Sequence, residues 1–247
     1  MDGARSGDSA FDAAVFEARL EAVRAFAYGA GHEINNPLAN IAARAQALLV
    51  DERDPERRRK LATIVDQAFR ARDMIGGLMV FARPPRPCPA AVDLRDLLRP
   101  VVEAARPAAD AKGVRLDYGP PPAPVMVRID AAQVGEAVRA LVANAIEAAD
   151  EAGRVVIEAE AGVVGCRLIV DDDGPGMGGE ATRMAFDPFY SGRDAGRGIG
   201  LGLPKALRLI ESNGGGLTID SRPGRGTRVV VTLPDVGDDR TTAGSGP

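Results

Sequence analysis

Apolar residues recur at steps of three and four along residues 11–50 and again along 56–82, with polar residues between them. This spacing is that of an α-helix with one apolar face, so each stretch predicts a long helix. The apolar positions are Val23, Ala27, Ala30, Ile34, Leu38, Ile41, Ala45 and Leu48, then Leu61, Ile64, Ala68, Ile75, Leu78 and Ala82. Pro55 follows the polar turn D-E-R-D and stands where a helix can begin. The pattern predicts a helical hairpin over 11–83, and since one hairpin buries only one stripe, two copies would complete a four-helix bundle.

The pattern changes at the run R83-P-P-R-P-C-P89, because successive prolines cannot continue a helix. We predict a linker over 84–91 and an α/β domain over 92–234. The predicted strands are Val125–Ile129, Val155–Glu160, Arg167–Asp171, Leu217–Asp220 and Thr227–Leu233, and the predicted helices lie near 94–111, 131–149 and 201–213. Residues 1–10 and 235–247 are polar, and we predict that both segments are disordered.

Composition excludes several classes of function. The net charge is −4 with acids and bases interspersed, so neither nucleic acid nor an anionic membrane is expected as the main partner. No run approaches the roughly 18 to 20 apolar residues of a membrane span, and the first ten residues lack the apolar core of a signal peptide. Cys88 and Cys166 are isolated, which predicts reduced thiols in a cytoplasmic protein and no zinc site.

The only histidine, His32, stands in the run G-A-G-H-E-I-N-N-P-L. On a helix it lies about 160° from both Ala30 and Ile34, opposite the apolar stripe, so it should be exposed. A lone histidine is commonly a core or capping residue, and that interpretation stays open beside a chemical one. An exposed imidazole next to Glu33 can act as a nucleophile while the carboxylate orients or accepts the ring proton. The helical position favours the chemical interpretation.

Two glycine-rich segments follow in the second domain. D172-D-G-P-G-M177 comes directly after a strand, and G196-R-G-I-G-L-G-L203 leads into a helix, whose first N–H groups can bind phosphate. A glycine loop alone is weak evidence, because turns use glycine for structural reasons as well. The combination is more specific, since the two loops flank F186-D-P-F-Y190, N144-A-I-E-A148 lies on an earlier helix, and S221-R-P-G-R-G-T227 precedes the last strand.

In this order the motifs resemble those of the transmitter part of bacterial sensor histidine kinases, over about residues 15–234. The run from His32 to Leu38 resembles the H box of the nitrogen-regulation type. Residues 138–148 resemble the N box, 172–176 the first glycine box and 186–189 the F box. Residues 198–203 resemble the second glycine box and 224–227 the last one. The resemblance implies a dimerisation and phosphoacceptor hairpin forming a dimeric four-helix bundle, followed by an α/β sandwich of the Bergerat, or GHKL, type that binds ATP.

The resemblance also implies roles for individual residues. His32 would be the phosphoacceptor, Glu33 its general base, and Asn36 the residue that positions water when a partner's phosphoaspartate is hydrolysed. Asn144 would hold Mg²⁺ at the ATP phosphates, and Asp172 would accept a hydrogen bond from the adenine amino group. The remaining implied ATP contacts are Gly174 and Gly176 at the adenine, Arg193, Gly198, Gly200 and Gly202 at the phosphates, and Thr227 at the base end of the pocket.

The implied function is that of a homodimeric, cytoplasmic histidine kinase using ATP and Mg²⁺. It would phosphorylate His32, pass the phosphoryl group to an Asp of a response regulator receiver domain, and possess the reverse phosphatase activity. One departure is Ala140, where the N box usually carries a second Asn. ATPases of the same fold, such as the gyrase group, have a Glu there, so simple ATP hydrolysis is disfavoured. We expect Ala140→Asn to strengthen Mg·ATP binding, and a phosphotransfer or docking scaffold with an impaired nucleotide domain stays open as the alternative.

Overall fold

The computed structural model describes residue 21 and residues 33–162, 165–190 and 200–236. These residues form two units, which meet in sequence between Pro84 and Pro85. The predictions for residues 1–10, for most of the first helix before residue 33 and for the tail after residue 236 lie outside the described residues. In the described part of the chain, no helix is long and apolar enough to cross a membrane.

The first unit contains two helices, α1 over 33–51 and α2 over Pro55–Ala82. The predicted start of the second helix is confirmed, with Pro55 at its first position. Asp54 caps it by accepting hydrogen bonds from two backbone N–H groups of the first turn, each at 2.9 Å. The Arg58 guanidinium then donates to the carbonyls of Leu49 and Glu52, at 2.9 and 2.8 Å. These contacts tie the end of α1 to the start of α2.

The apolar stripe of the hairpin is only partly covered within one chain. Its small residues Ala45, Ala68 and Ala82 are buried. Of its large residues Leu78 is buried, but Ile41 is 47% exposed and Leu48 is 62% exposed. The described part of one hairpin therefore leaves large apolar side chains in contact with water.

The described residues of the second unit form seven strands and four helices. The strands are β1 Ala90–Asp93, β2 Arg115–Gly119, β3 Met126–Ile129, β4 Arg154–Ala161, β5 Cys166–Asp172, β6 Gly216–Ser221 and β7 Thr227–Leu233. The helices are α3 Leu94–Lys112, α4 Ala131–Ala148, α5 Gly179–Met184 and α6 Gly202–Ser212. Five strands form one sheet in the order β2-β4-β5-β7-β6, in which only the β2–β4 pair is parallel, and β1 pairs antiparallel with β3.

One face of the five-stranded sheet packs against the helices, and α4 is the central helix because it contacts α3, α6 and the strands β4 and β5. Side chains alternate across a strand, so Leu168 and Val170 of β5 point into this core while Arg167 of the same strand is exposed. The fold is the predicted α/β sandwich, with one polar sheet face and one apolar face. All five predicted strands are present, within one or two residues of the expected bounds.

We call the contact between α4 and α6 the α4–α6 seam. Its helices run antiparallel, because the start of α4 meets the end of α6. There the Asn213 amide donates to Gln133 Oε1 at 3.1 Å, and Asn213 Oδ1 accepts from the N–H of Asp130 at 2.7 Å. The same end holds the proline-rich segment, since Gln133 donates to the carbonyl of Pro85 at 3.0 Å and the N–H of Cys88 donates to the Asp130 carboxylate at 2.9 Å.

Three elements were missed from the sequence: β1, β2 and α5. β1 begins at Ala90, inside the predicted linker, and crosses the boundary predicted after residue 91. It carries a single β-branched residue, so only its pairing with β3 identifies it as a strand. In β2, Asp117 is held by Arg115 and by Arg154 of β4, at 2.9 and 2.7 Å. Such edge strands are short and polar, and their stability comes from cross-strand contacts.

The position of α4 generates a stability prediction. Lys112 Nζ donates to three carbonyls at the C-terminal end of this helix, those of Ile146, Glu147 and Ala149 at 3.0, 2.7 and 2.5 Å. A cation at a helix C-terminus satisfies carbonyls that have no intrahelical partner and interacts favourably with the helix dipole. We expect Lys112→Met to lower the free energy of unfolding by on the order of 1–2 kcal/mol. Urea denaturation followed by circular dichroism measures this, with exposed Arg106→Met on the same helix as control; equal losses would contradict it.

Candidate functional site

Asp172 ends β5 and points into the helical layer. It shares its sheet face with Val170, which lies two residues before it and is buried. The two neighbouring carboxylates point elsewhere. Asp171 lies on the opposite face and pairs with Arg228 at 2.8 Å, and Asp173 accepts a hydrogen bond from the N–H of Arg154 at 2.8 Å. Only the middle carboxylate of the D-D-D run therefore enters the interior.

This carboxylate is almost completely buried, with 8% of the residue exposed. Burial raises the pKa of Asp172 to about 6, against the lowering effect of hydrogen bonds from the backbone N–H groups of Gly174 and Thr227. The nearby carboxylates of Asp171 and Asp173 raise the pKa further. An acceptor held this way suits a ligand amino group, because an added donor would stabilise the charged form that burial disfavours.

Glycines at this end of the sheet allow backbone segments to approach closely. Gly226 has φ +74°, and a Cβ there would lie 1.8 Å from the carbonyl oxygen of Asp172. Gly176 has φ +66°, and a Cβ there would lie 2.0 Å from the carbonyl oxygen of Arg222. Any other residue would have to move the backbone. The loop after β5 and the turn before β7 are thus packed directly on each other.

The C-terminal part of α4 meets both glycine loops. A Cβ on Gly174 would lie 2.6 Å from the carbonyl oxygen of Ala148, and a Cβ on Gly202 would lie 2.8 Å from Asn144 Nδ2 and 3.0 Å from its Oδ1. The Asn144 amide therefore lies over the first residue of α6. The structure brings the predicted residues of the N box and of both glycine loops together at the ends of β5 and α4.

A serine to which the sequence analysis assigned no role links the loops. Ser221 Oγ accepts a hydrogen bond from the N–H of Met177 at 2.8 Å and lies 3.0 Å from both the carbonyl oxygen of Gly226 and Oγ1 of Thr227. The hydroxyl contacts the Thr227 side chain and holds the first loop beside the last one. The only sequence signal was its place at the start of the S-R-P-G-R-G-T motif.

The F box and the second glycine loop also meet. The N–H of Phe189 donates to the carbonyl of Gly200 at 3.2 Å, and a Cβ on Gly200, which has φ +64°, would lie 2.2 Å from the carbonyl oxygen of Tyr190. The described residues on either side of 191–199 are therefore in contact. Arg193 and Gly198, predicted to contact phosphate, lie outside the described residues.

The predicted phosphoacceptor residues belong to the helical unit. Glu33 and Asn36 are both exposed on α1. His32 itself lies outside the described residues, and its predicted role stays a prediction.

The residues present fit a nucleotide with a bound Mg²⁺. Asp172 is a buried acceptor for an amino group, and the first turn of α6 has no side-chain cap on its N–H groups, which suits phosphate oxygens. The Asn144 amide oxygen is the type of ligand Mg²⁺ accepts. Among the described residues no cluster of three or more His, Cys, Asp or Glu side chains could hold a metal by itself. A site with the Asn144 amide as its side-chain ligand suits a Mg²⁺ that takes most of its ligands from phosphates and water.

Two family models match the chain. Residues 22–86 match the model described as "His Kinase A (phospho-acceptor) domain". Residues 129–237 match the model described as "Histidine kinase-, DNA gyrase B-, and HSP90-like ATPase". The first match covers most of the first unit and ends two residues beyond it, and the second match lies within the second unit.

Curated relatives and solved structures agree with these matches. The chain is 26% identical to the sensor histidine kinase ZraS of Klebsiella oxytoca, over 97% of this chain and 52% of that protein. It is 28% identical to the sensor kinase CckA of Brucella abortus, over 87% of this chain and 24% of that protein. The full-length ShkA structure in complex with AMPPNP is similar at TM-score 0.75 and 26% identity, covering 85% of this chain and 45% of ShkA. The chain thus spans about half or less of the length of these proteins.

The burial of Asp172 generates a pH prediction. Its pKa is about 6 in the folded protein against an ordinary value of 3.8, so between these values the folded state keeps a proton that the unfolded state has released. The contribution of Asp172 to the free energy of unfolding therefore falls as pH rises from about 4 to 6 and then stays level. We expect Asp172→Asn to be more stable than the wild type above pH 6, by on the order of 2 kcal/mol.

Urea denaturation between pH 4 and 8 measures this difference. The exposed Asp220, on β6, supplies the matched control Asp220→Asn, whose stability should run parallel to that of the wild type. A constant difference between Asp172→Asn and the wild type across this pH range would contradict the assignment.

Proposed function

The chain is a histidine kinase, with a phosphoacceptor domain ahead of an ATPase domain, and from this premise we propose that it phosphorylates its own His32 from ATP. The observation that carries the proposal is the meeting of Asn144, Gly202 and Asp172 at one end of the α/β unit. Phosphoryl transfer needs little covalent chemistry from a protein and depends on positioning and charge stabilisation. A site that binds the base and the phosphates of a nucleotide with different residues supplies both positioning and charge stabilisation.

The roles of the site residues follow from their chemistry. Asp172 accepts a hydrogen bond from the adenine amino group. Asn144 holds Mg²⁺, which neutralises phosphate charge when bound. Backbone N–H groups at the start of α6 bind phosphate oxygens. The proposed contacts are Gly174, Gly176 and Thr227 at the base, and Arg193, Gly198, Gly200 and Gly202 at the phosphates.

In the proposed reaction an imidazole nitrogen of His32 attacks the γ-phosphorus, and the bond from that phosphorus to the β,γ-bridging oxygen breaks, releasing ADP. Glu33 accepts the proton from the other ring nitrogen, which keeps the attacking nitrogen nucleophilic. Glu33 is exposed on α1, which supports this role because the group that accepts the proton must be accessible.

The phosphoryl group on His32 then passes to an Asp of a response regulator receiver domain. Asn36, which is exposed on α1 and follows His32 by four residues in the sequence, positions water in the reverse phosphatase reaction. The curated relatives carry the name of sensor kinases, which supports a two-component partner. The narrower nitrogen-regulation type stays a prediction from the H-box residues.

A homodimer is the proposed assembly. Ile41, Leu48 and Ile64 are exposed in one chain although they lie in the apolar stripes of the hairpin. Packing two hairpins side by side would cover these side chains in a four-helix bundle. The match to a phosphoacceptor domain over residues 22–86 supports the same assembly.

The alternative function is a phosphotransfer or docking scaffold that binds nucleotide poorly. Ala140 favours it, since alanine has no group to hold a metal or a phosphate. Mg²⁺-dependent binding of a fluorescent ATP analogue distinguishes the two functions, and its loss would favour the scaffold.

Incubation with γ-labelled ATP and Mg²⁺ tests the kinase. We expect label on the wild type that is acid-labile and alkali-stable, as a phosphoramidate is, and none on His32→Gln. The matched control is that His32→Gln binds the fluorescent ATP analogue as the wild type does. If neither protein is labelled, while a phosphorylated regulator still loses phosphate in the presence of the wild type, the kinase proposal fails and a phosphatase or scaffold function replaces it.

Light scattering tests the dimer. Leu48 lies about 20° from Ile41 around α1 and Val50 lies about 180° from it, although both are exposed. We expect Leu48→Glu to halve the mass of the particle, because a charge would be buried unpaired between the hairpins. Val50→Glu should leave the mass unchanged, and a monomeric wild type would refute the assembly.

A further inference from the structure

An ion pair crosses the α4–α6 seam close to the nucleotide site. Lys205 Nζ lies 2.8 Å from Glu136 Oε1, and the lysine side chain is only 18% exposed. Lys205 is one turn beyond Gly202, the residue covered by the Asn144 amide. Among the residues that the structure describes, this pair is the contact between charged side chains that joins the two helices of the seam.

Helix geometry places this lysine opposite Ala140. Lys205 comes three residues after Gly202 and Ala140 comes four residues before Asn144, which is about 4.5 Å and 6 Å along the two antiparallel helices. Glu136 comes another four residues before Ala140, on the same face of α4. The lysine therefore passes the alanine on its way to the glutamate.

We propose that Lys205 is a phosphate-binding residue of the nucleotide site, which leaves Glu136 when Mg·ATP binds and replaces the N-box asparagine absent at Ala140. The inference rests on the proposed function. A lysine has a flexible four-carbon stem and three donors that can turn toward a new partner. Alanine leaves the path between Glu136 and Asn144 open, because it has no atom beyond Cβ.

Glu136 can release the lysine without becoming an unpaired charge. Its other oxygen, Oε2, accepts from Arg139 Nη2 at 3.0 Å and from Arg139 Nε at 3.2 Å. Breaking a half-buried pair is costly when it leaves one charge uncompensated. Here the arginine keeps the carboxylate paired, so the cost of moving the ammonium is small.

The exchange is favourable because a triphosphate attracts the ammonium more strongly than one carboxylate does. Charge-assisted hydrogen bonds to phosphate are among the strongest polar contacts. The cation would compensate for the missing neutral amide at position 140. A purely structural pair predicts a different response, since both of its members would then matter in the same direction.

Titration calorimetry with Mg·ATP on the full chain separates these cases. We expect Lys205→Met to weaken binding about tenfold, the loss of one charge-assisted contact. Glu136→Gln should tighten binding about threefold, because the lysine no longer has an opposite charge to leave. Arg106→Met removes the same charge from an exposed position on α3, so it is the matched control and should stay within about twofold. Unfolding curves without nucleotide show that each variant is folded.

A second substitution gives an independent test. Ala140→Asn should restore most of the affinity lost in Lys205→Met, because the amide takes over the vacated contact. Weaker binding by both Lys205→Met and Glu136→Gln would overturn the inference and make the pair structural. If Lys205→Met binds Mg·ATP as tightly as the wild type does, the inference is overturned but the proposed function is not. A wild-type chain that binds no Mg·ATP would overturn the proposed function and the inference with it.

Discussion

Asn144 and Gly202 approach so closely that a Cβ on the glycine would displace the Asn144 amide, and this contact joins the end of α4 to the start of α6. At the other end of the seam, the Asn213 and Gln133 amides hold the same two helices together. Sliding of the two helices would leave the buried Asn213 and Gln133 amides unsatisfied, which is costly. The alignment in turn places the start of α6 near the end of β5, at the proposed nucleotide site.

The far end of the seam is also where the proline-rich segment is attached. Gln133 and Asp130 bind its backbone at Pro85 and Cys88, respectively, and both belong to the first turn of α4 or its cap. A displacement of this segment would act directly on the helix that carries Asn144. The segment is thus a structural part of the α/β unit as well as a connection in sequence.

The site itself is held at a cost in stability. Burying Asp172 disfavours its charged form. Gly176 and Gly226 adopt left-handed conformations, and glycine loses more conformational entropy on folding than other residues do, which lowers the free energy of unfolding. Natural sites commonly retain such unfavourable groups where function needs them. Here the unfavourable groups surround one end of the sheet, whereas the remainder of the core is mostly apolar.

Local patterns in the sequence determined the long helices, the five recognised strands, the start of α2 at Pro55 and the order of the motifs, because these features depend on residues within one or two turns. Composition and spacing could not show which carboxylate of the D-D-D run is buried, and the resemblance alone pointed to Asp172. Strand register decided it, by placing Asp171 and Asp172 on opposite faces.

The tertiary structure alone revealed the contacts between distant residues. Ser221 beside Met177, Lys205 beside Glu136 and Asn144 over Gly202 join segments that are 44, 69 and 58 positions apart. No periodicity encodes such pairs, since they arise when helices and loops pack on a common sheet. Sequence therefore determined the elements and their chemistry, and packing decided which side chains meet.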